Sequence, residues 1–180
     1  MSYLSIIAAV IFTVAISQGI YVLHLDSASR THRLFFLMSF ALSVWLFGAM
    51  FAYSSPSREE VVFWFKLSSF GFIFLHAFTL HFCVDLTGIV KIPRPLKALI
   101  YLPSLALYAW SLCGLIVYRD FVRMPDYWTG IPDFGGLSFR LLVLQYMVYY
   151  ICSFALLMAV SYTHLRAHET VLDLVCRLLL

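Results

Sequence analysis

Two long apolar segments, residues 34–53 and 61–86, follow one another with only a short polar turn between them. At 1.5 Å of rise per residue, each reaches across about 30 Å of hydrocarbon. Lipid supplies no partner for a bare peptide N–H or C=O, so a spanning segment must satisfy its own backbone. No strand-like alternation suggests a barrel, which leaves the α-helix. The turn runs Ser54, Ser55, Pro56, Ser57, Arg58, Glu59, Glu60. Its proline stops the first helix, its serines are N-cap candidates, and its carboxylates suit the positive end of the next helix dipole. A membrane helical hairpin is therefore the feature around which everything else must be arranged.

Composition extends that conclusion to the whole chain. Of 180 residues, 63% are apolar and 12% charged, against roughly 25% charged in a soluble domain. The expected fold class is all-α: a polytopic membrane helix bundle with spans at about 3–25, 34–53, 61–86, 96–118 and 139–159. A formal charge of +3, scattered along the chain, gives no footprint for nucleic acid. Cys83, Cys113 and Cys152 fall inside apolar segments, where thiols behave as small hydrophobes. There is no phosphate-cradling glycine loop, no nucleophile with a base at useful spacing and no zinc motif. No catalytic residue, cofactor or metal is expected.

The first span has no basic residue ahead of it and no small-residue cleavage pattern, so it reads as an anchor rather than a removable signal peptide. The loop 26–33 carries Arg30 and Arg33, and the loop 87–97 carries Lys91, Arg94 and Lys97. Under the positive-inside rule both face the cytoplasm, with the N-terminus outside. Arg58, Arg119 and Arg123 then lie on the outer side. Gly88 stands where a helix C-cap is expected, and Pro93 and Pro95 extend the following loop. Pro103 predicts a kink within the fourth span. Residues 119–138 are expected to form a long outer loop, and Trp64 and Trp128 to sit in an aromatic belt. Small residues at helical spacing, Ala9, Thr13 and Ser17 in the first span and Ser39 and Ser43 in the second, predict close helix contacts.

The last stretch reads differently. Residues 160–170, Val-Ser-Tyr-Thr-His-Leu-Arg-Ala-His-Glu-Thr, resemble one translated frame of a transposase-type sequencing adapter. Residues 173–180 resemble that adapter's continuation in the same frame, and the gap between the two blocks has the length of a sample index. Residues 160–180 are therefore expected to be adapter-derived, and residues 1–159 to be a membrane domain cut within its fifth helix.

Three motifs carry a family resemblance. They are residues 40–47, a span with Trp45 at its centre; residues 63–71 with Leu80-His81-Phe82 and Leu86-Thr87-Gly88; and residues 134–139, the junction after the long loop. Together they resemble the N-terminal seven-helix membrane region of bacterial sensor histidine kinases and of some diguanylate cyclases. The resemblance covers residues 1–159, with five of an expected seven helices. It implies a signal-input domain in a bacterial cytoplasmic (inner) membrane, not itself an enzyme. Its implied partners are the lipid bilayer, an unknown small ligand, an output kinase or cyclase domain downstream in the natural chain and, as an open alternative, a second copy in a homodimer.

The candidate site residues are the polar ones at membrane depth. His76, His81 and Asp85 share the third span, and ionisable groups there usually face the bundle interior. His81 and Asp85 lie four apart on one face, suited either to proton sensing or to mutual satisfaction near the interface. The five-residue step turns His76 away from that pair, against a shared metal site. Gln18 and Gln145 are amides in apolar spans and are expected to lock helix contacts. Asp126, Tyr127, Trp128 and Asp133 in the outer loop offer rings and acceptors suited to a cationic or amphipathic ligand, or to resting at the headgroups. A small transporter or channel lined by His76, His81 and Asp85 is the rival reading, and a membrane enzyme using the same residues is another.

Overall fold

A computed structural model describes residues 2–90 and 92–178, with the side chains of residues 94 and 163–178 outside the description. Lys91, the Arg94 side chain and most side chains of the adapter-like stretch 160–180 therefore lie outside the description. Five helical segments among those described are long and apolar enough to cross a membrane: Tyr3–Leu25, Arg30–Ser54, Arg58–Thr87, Pro95–Cys113 and Leu137–Tyr162. The chain is an all-α membrane helix bundle with one small two-stranded hairpin.

Serines start the first three helices. Ser2 caps α1 (Tyr3–Leu25), Ser29 caps α2 (Arg30–Ser54) and Ser57 caps α3 (Arg58–Thr87), each hydroxyl accepting a first-turn N–H. Those N–H groups have no carbonyl partner inside the helix, so a short oxygen-bearing side chain satisfies one of them without lengthening the turn. Gly88 ends α3 at φ 62°, a left-handed conformation that only glycine adopts freely, and its N–H bonds the Val84 carbonyl.

The first three helices pack through small residues. A Cβ on Gly19 would lie 2.7 Å from Ser39 Cβ, and one on Gly48 would lie 2.6 Å from Ser68 Cβ. One on Gly71 would collide with the Ala41 carbonyl and the Trp45 amide. Lipid is as apolar as leucine, so helices gain from backbone proximity rather than from hydrophobicity. Ser39 and Ser43 are buried in this contact, as expected. The face of α1 is corrected: Ser5, Ala8, Ala15 and Gly19 are buried, while Thr13 and Ser17 are exposed. Thr13 turns its hydroxyl back to the Ala9 carbonyl at 2.9 Å, so it needs no partner helix.

The fourth segment departs from an uninterrupted span over 96–118. It opens with a short α4 (Arg94–Lys97), passes through a 3-10 turn (Ala98–Tyr101) and continues as α5 (Leu102–Cys113). Pro103 falls in the first turn of α5, where its missing N–H costs no hydrogen bond, so a helix start replaces the predicted kink. Gly114 is extended and stops the helix early, and Lys66 Nζ on α3 donates to the Leu112 carbonyl at 2.9 Å. A cation there complements the negative end of the helix dipole.

The predicted outer loop is largely an antiparallel hairpin of β1 (Tyr118–Arg123) and β2 (Trp128–Pro132), closed by Met124 N–H to the Tyr127 carbonyl at 2.8 Å. Phe121 and Trp128 bury against Val61 on α3, and Phe65 stacks on Phe121 at 4.7 Å. After the hairpin the last helix, α6 (Leu137–Leu178), packs back on α3 around Ile73, Phe74, Leu107, Ile116 and Leu142.

Candidate functional site: polar ties on the central helix

α3 is the most enclosed span and carries polar groups engaged by its neighbours at several depths. Near its C-terminal end, the Asp85 side chain is 9% exposed. Arg30 Nε of α2 lies 2.7 Å from one carboxylate oxygen, and Lys97 Nζ of α4 contacts the other. Two cations on one carboxylate offset the cost of holding it out of water. Arg30 and Lys97 were read from the sequence only as orientation charges. Their convergence on Asp85 places the loops 26–33 and 87–97 at one end of the bundle.

His81 lies beside this cluster but 3.9 Å from the nearer Asp85 oxygen, beyond hydrogen-bond reach. Arg30 approaches its Nε2 at 3.3 Å, and the Tyr101 hydroxyl lies 2.6 Å from its Nδ1. A guanidinium only donates, so Nε2 accepts and Nδ1–H donates to Tyr101. This arrangement holds the imidazole in one neutral tautomer and ties α3 to the 3-10 turn. Sequence spacing singles out Asp85 because it is four residues away, whereas the observed partners are fifty-one and twenty residues distant.

His76 is apart from that cluster. Its Nδ1–H donates to the Phe72 carbonyl at 3.0 Å, and its ring stacks on Tyr146 of α6 with centroids 3.6 Å apart. Tyr146 O–H donates to the same carbonyl at 2.9 Å. Among the described residues no three His, Cys, Asp or Glu side chains are grouped to hold a metal.

Gln145 of α6 is buried. Its Nε2 donates to Ser104 Oγ of α5 at 2.6 Å and to the Ile73 carbonyl of α3 at 3.4 Å. One amide thus touches three helices. Ser69 and Ser111 add a hydroxyl pair at 2.8 Å between α3 and α5. Serines are too common in membrane helices for the sequence to mark these two as partners. Gln18 is exposed on α1.

The four loop residues do not converge. Trp128 points inward, its Nε1–H donating to the Ser55 carbonyl at 2.8 Å. Arg123 donates to the same carbonyl at 2.9 Å and lies over the Trp128 ring. Tyr127 meets Tyr3 edge-on at 5.9 Å, and Asp126 is exposed beside Ser2, Tyr53 and Arg123. Asp133 stands at the far end of β2, where its N–H donates to the Val117 carbonyl. On β1, Asp120 receives Arg58 Nε and its neighbour's Phe121 N–H, both at 2.8 Å. The Phe121 amide and the Arg58 guanidinium hold its carboxyl below the usual aspartate range.

The central membrane helix α3 is tied by polar contacts to α4, the 3-10 turn, α5, β1 and α6. Residues 5–178 match the N-terminal 7TM region of histidine kinase. No curated protein and no solved structure matches the chain. That family is the membrane input region of these kinases, distinct from their catalytic part. The chain belongs to the family of N-terminal seven-transmembrane regions of histidine kinases.

Proposed function

We propose that this chain is the signal-input domain of a bacterial sensor protein of the inner membrane, with its N-terminus outside. A ligand or membrane state biases the packing around α3, and the shift passes through the last of the seven helices, downstream of residues 1–159, to a cytoplasmic output domain, a histidine kinase or a diguanylate cyclase. Five of seven spans lie in residues 1–159, and residues 160–180 are adapter-derived. The observation that carries this reading is the arrangement on α3. Asp85 takes contacts from α2 and α4, His81 from α2 and the 3-10 turn, and the carbonyls of Phe72 and Ile73 from α6, so a shift of one helix must exchange several polar contacts at once. Such a contact set favours discrete arrangements over gradual deformation.

The transporter reading requires His76, His81 and Asp85 along one path. His76 instead stacks on Tyr146, while Asp85 is closed by two cations. The test is a chimera of residues 1–159 joined through two further spans to a histidine kinase core in vesicles. Gln145→Leu and Asp85→Asn are expected to change autophosphorylation by about twofold or more, as substitutions along a coupling element do. Unchanged phosphorylation in both variants, with the bundle folded, removes the reading.

A further inference from the structure

A cavity of about 370 Å³ lies between α2, α3, α6 and the start of β1. Trp45, Phe72, His76, Tyr118, Tyr146 and Tyr150 are among its lining residues. Its size and its mainly aromatic walls with a few polar groups are those of a small-molecule site rather than of a packing defect. None of these residues except His76 was singled out as a site candidate from the sequence, because they come from four separate elements.

We propose that this cavity binds a small, planar, mainly apolar aromatic molecule that carries a hydrogen-bond donor, a phenolic O–H or a ring N–H. The Nδ1–H of His76 is committed to the Phe72 carbonyl, so in the neutral ring Nε2 carries a lone pair. An unpaired imidazolium at membrane depth is costly, which favours that neutral form. No hydrogen-bond partner for Nε2 exists among the described residues. The same ring is fixed by the Tyr146 stack and by Tyr150 edge-on at 4.8 Å, so the acceptor is held in one orientation. Flat rings in the wall favour a flat guest, since offset and edge-on aromatic contacts add to simple burial. An aliphatic chain would gain nothing from the acceptor.

The site rests on the input-domain reading only for its consequence. A guest there touches α2, α3, α6 and the hairpin together, and so is placed to set their packing. Binding itself needs no output domain and is measured on this chain alone, so failure of binding and failure of signalling are separately visible.

The experiment uses the chain in nanodiscs of phosphatidylcholine and phosphatidylglycerol, with naphthol as probe and its methyl ether as the donorless control. Naphthol is expected to quench tryptophan emission saturably, with Trp45→Phe removing most of the change. The methyl ether should bind about tenfold weaker, the worth of one hydrogen bond. His76→Phe should bring the two probes within about twofold of each other. Val143→Phe, which narrows the cavity while leaving His76 in place, should abolish saturation for both and guards against a misfolded His76 variant. Unsaturable quenching that is equal in all variants, partition into lipid only, overturns the proposal. Equal affinity for naphthol and its ether in the unaltered chain overturns it as well.

Discussion

Asp85 shows how a single membrane-depth charge is tolerated. Its carboxylate is enclosed by Arg30 and Lys97, of which Lys97 is nearly as buried as Asp85 and Arg30 remains 44% exposed. Asp85→Ala strands a buried ammonium, while Arg30 can turn to water. The expected cost is therefore at the lower end of that for a broken buried pair, about 3 kcal/mol, seen as a lowered unfolding midpoint in detergent. Asp85→Ala with Lys97→Met should recover much of the loss, which a purely steric role for Asp85 would not allow. Asp120 is the opposite case, a half-exposed carboxylate whose pKa is held below the ordinary aspartate value by the Phe121 amide and Arg58. A depressed folded pKa contributes stability that is present above the ordinary value and is lost as pH falls through the folded one. Docking of the hairpin should therefore weaken only below about pH 3.8. Hydrogen exchange at Phe121, taken relative to Asp120→Asn, should show this acid loss, and a flat ratio would contradict it.

Among the elements, the hairpin and the α2–α3 contact are the joints. Trp128 and Arg123 share the Ser55 carbonyl, fastening β1 and β2 to the turn between α2 and α3. Trp128→Phe keeps the ring in its pocket but removes one buried hydrogen bond, worth about 1 kcal/mol. Proteolysis within residues 124–127 should speed up roughly fivefold if cleavage follows hairpin opening. Gly71 is the tightest point of α2–α3 packing, since a methyl group there would meet backbone atoms of Ala41 and Trp45 that have no rotamer to change. Gly71→Ala should cost about 2 kcal/mol or more, and Gly88→Ala less, because Gly88 meets open space and pays only for its positive φ. Thermal unfolding of the two variants side by side checks the order.

At the scale of the molecule, what was legible in the sequence is what a long apolar run enforces. Lipid leaves helix as the only answer for such runs, and Ser57, Glu59, Glu60 and Gly88 mark helix ends by local chemistry alone. The hairpin was not legible, because Tyr118–Arg123 lacks a clean apolar–polar alternation and its docking is fixed by partners on α3 and in the turn before it. The interior site was harder still. The partners of Asp85, His81 and Gln145 lie on other helices, and spacing along one helix reveals only neighbours on that helix. The face of α1 was misread for a related reason, since two small-residue registers run along that helix and only the packed neighbour selects one. A long read of the source locus that carries no adapter across codon 159 decides whether this input domain continues into further spans and an output domain. The expected frame leaves the Val160–Thr170 sequence and continues into two more apolar spans followed by a histidine kinase or cyclase domain. A natural frame that reads through 160–180 and stops after Leu180 would contradict it.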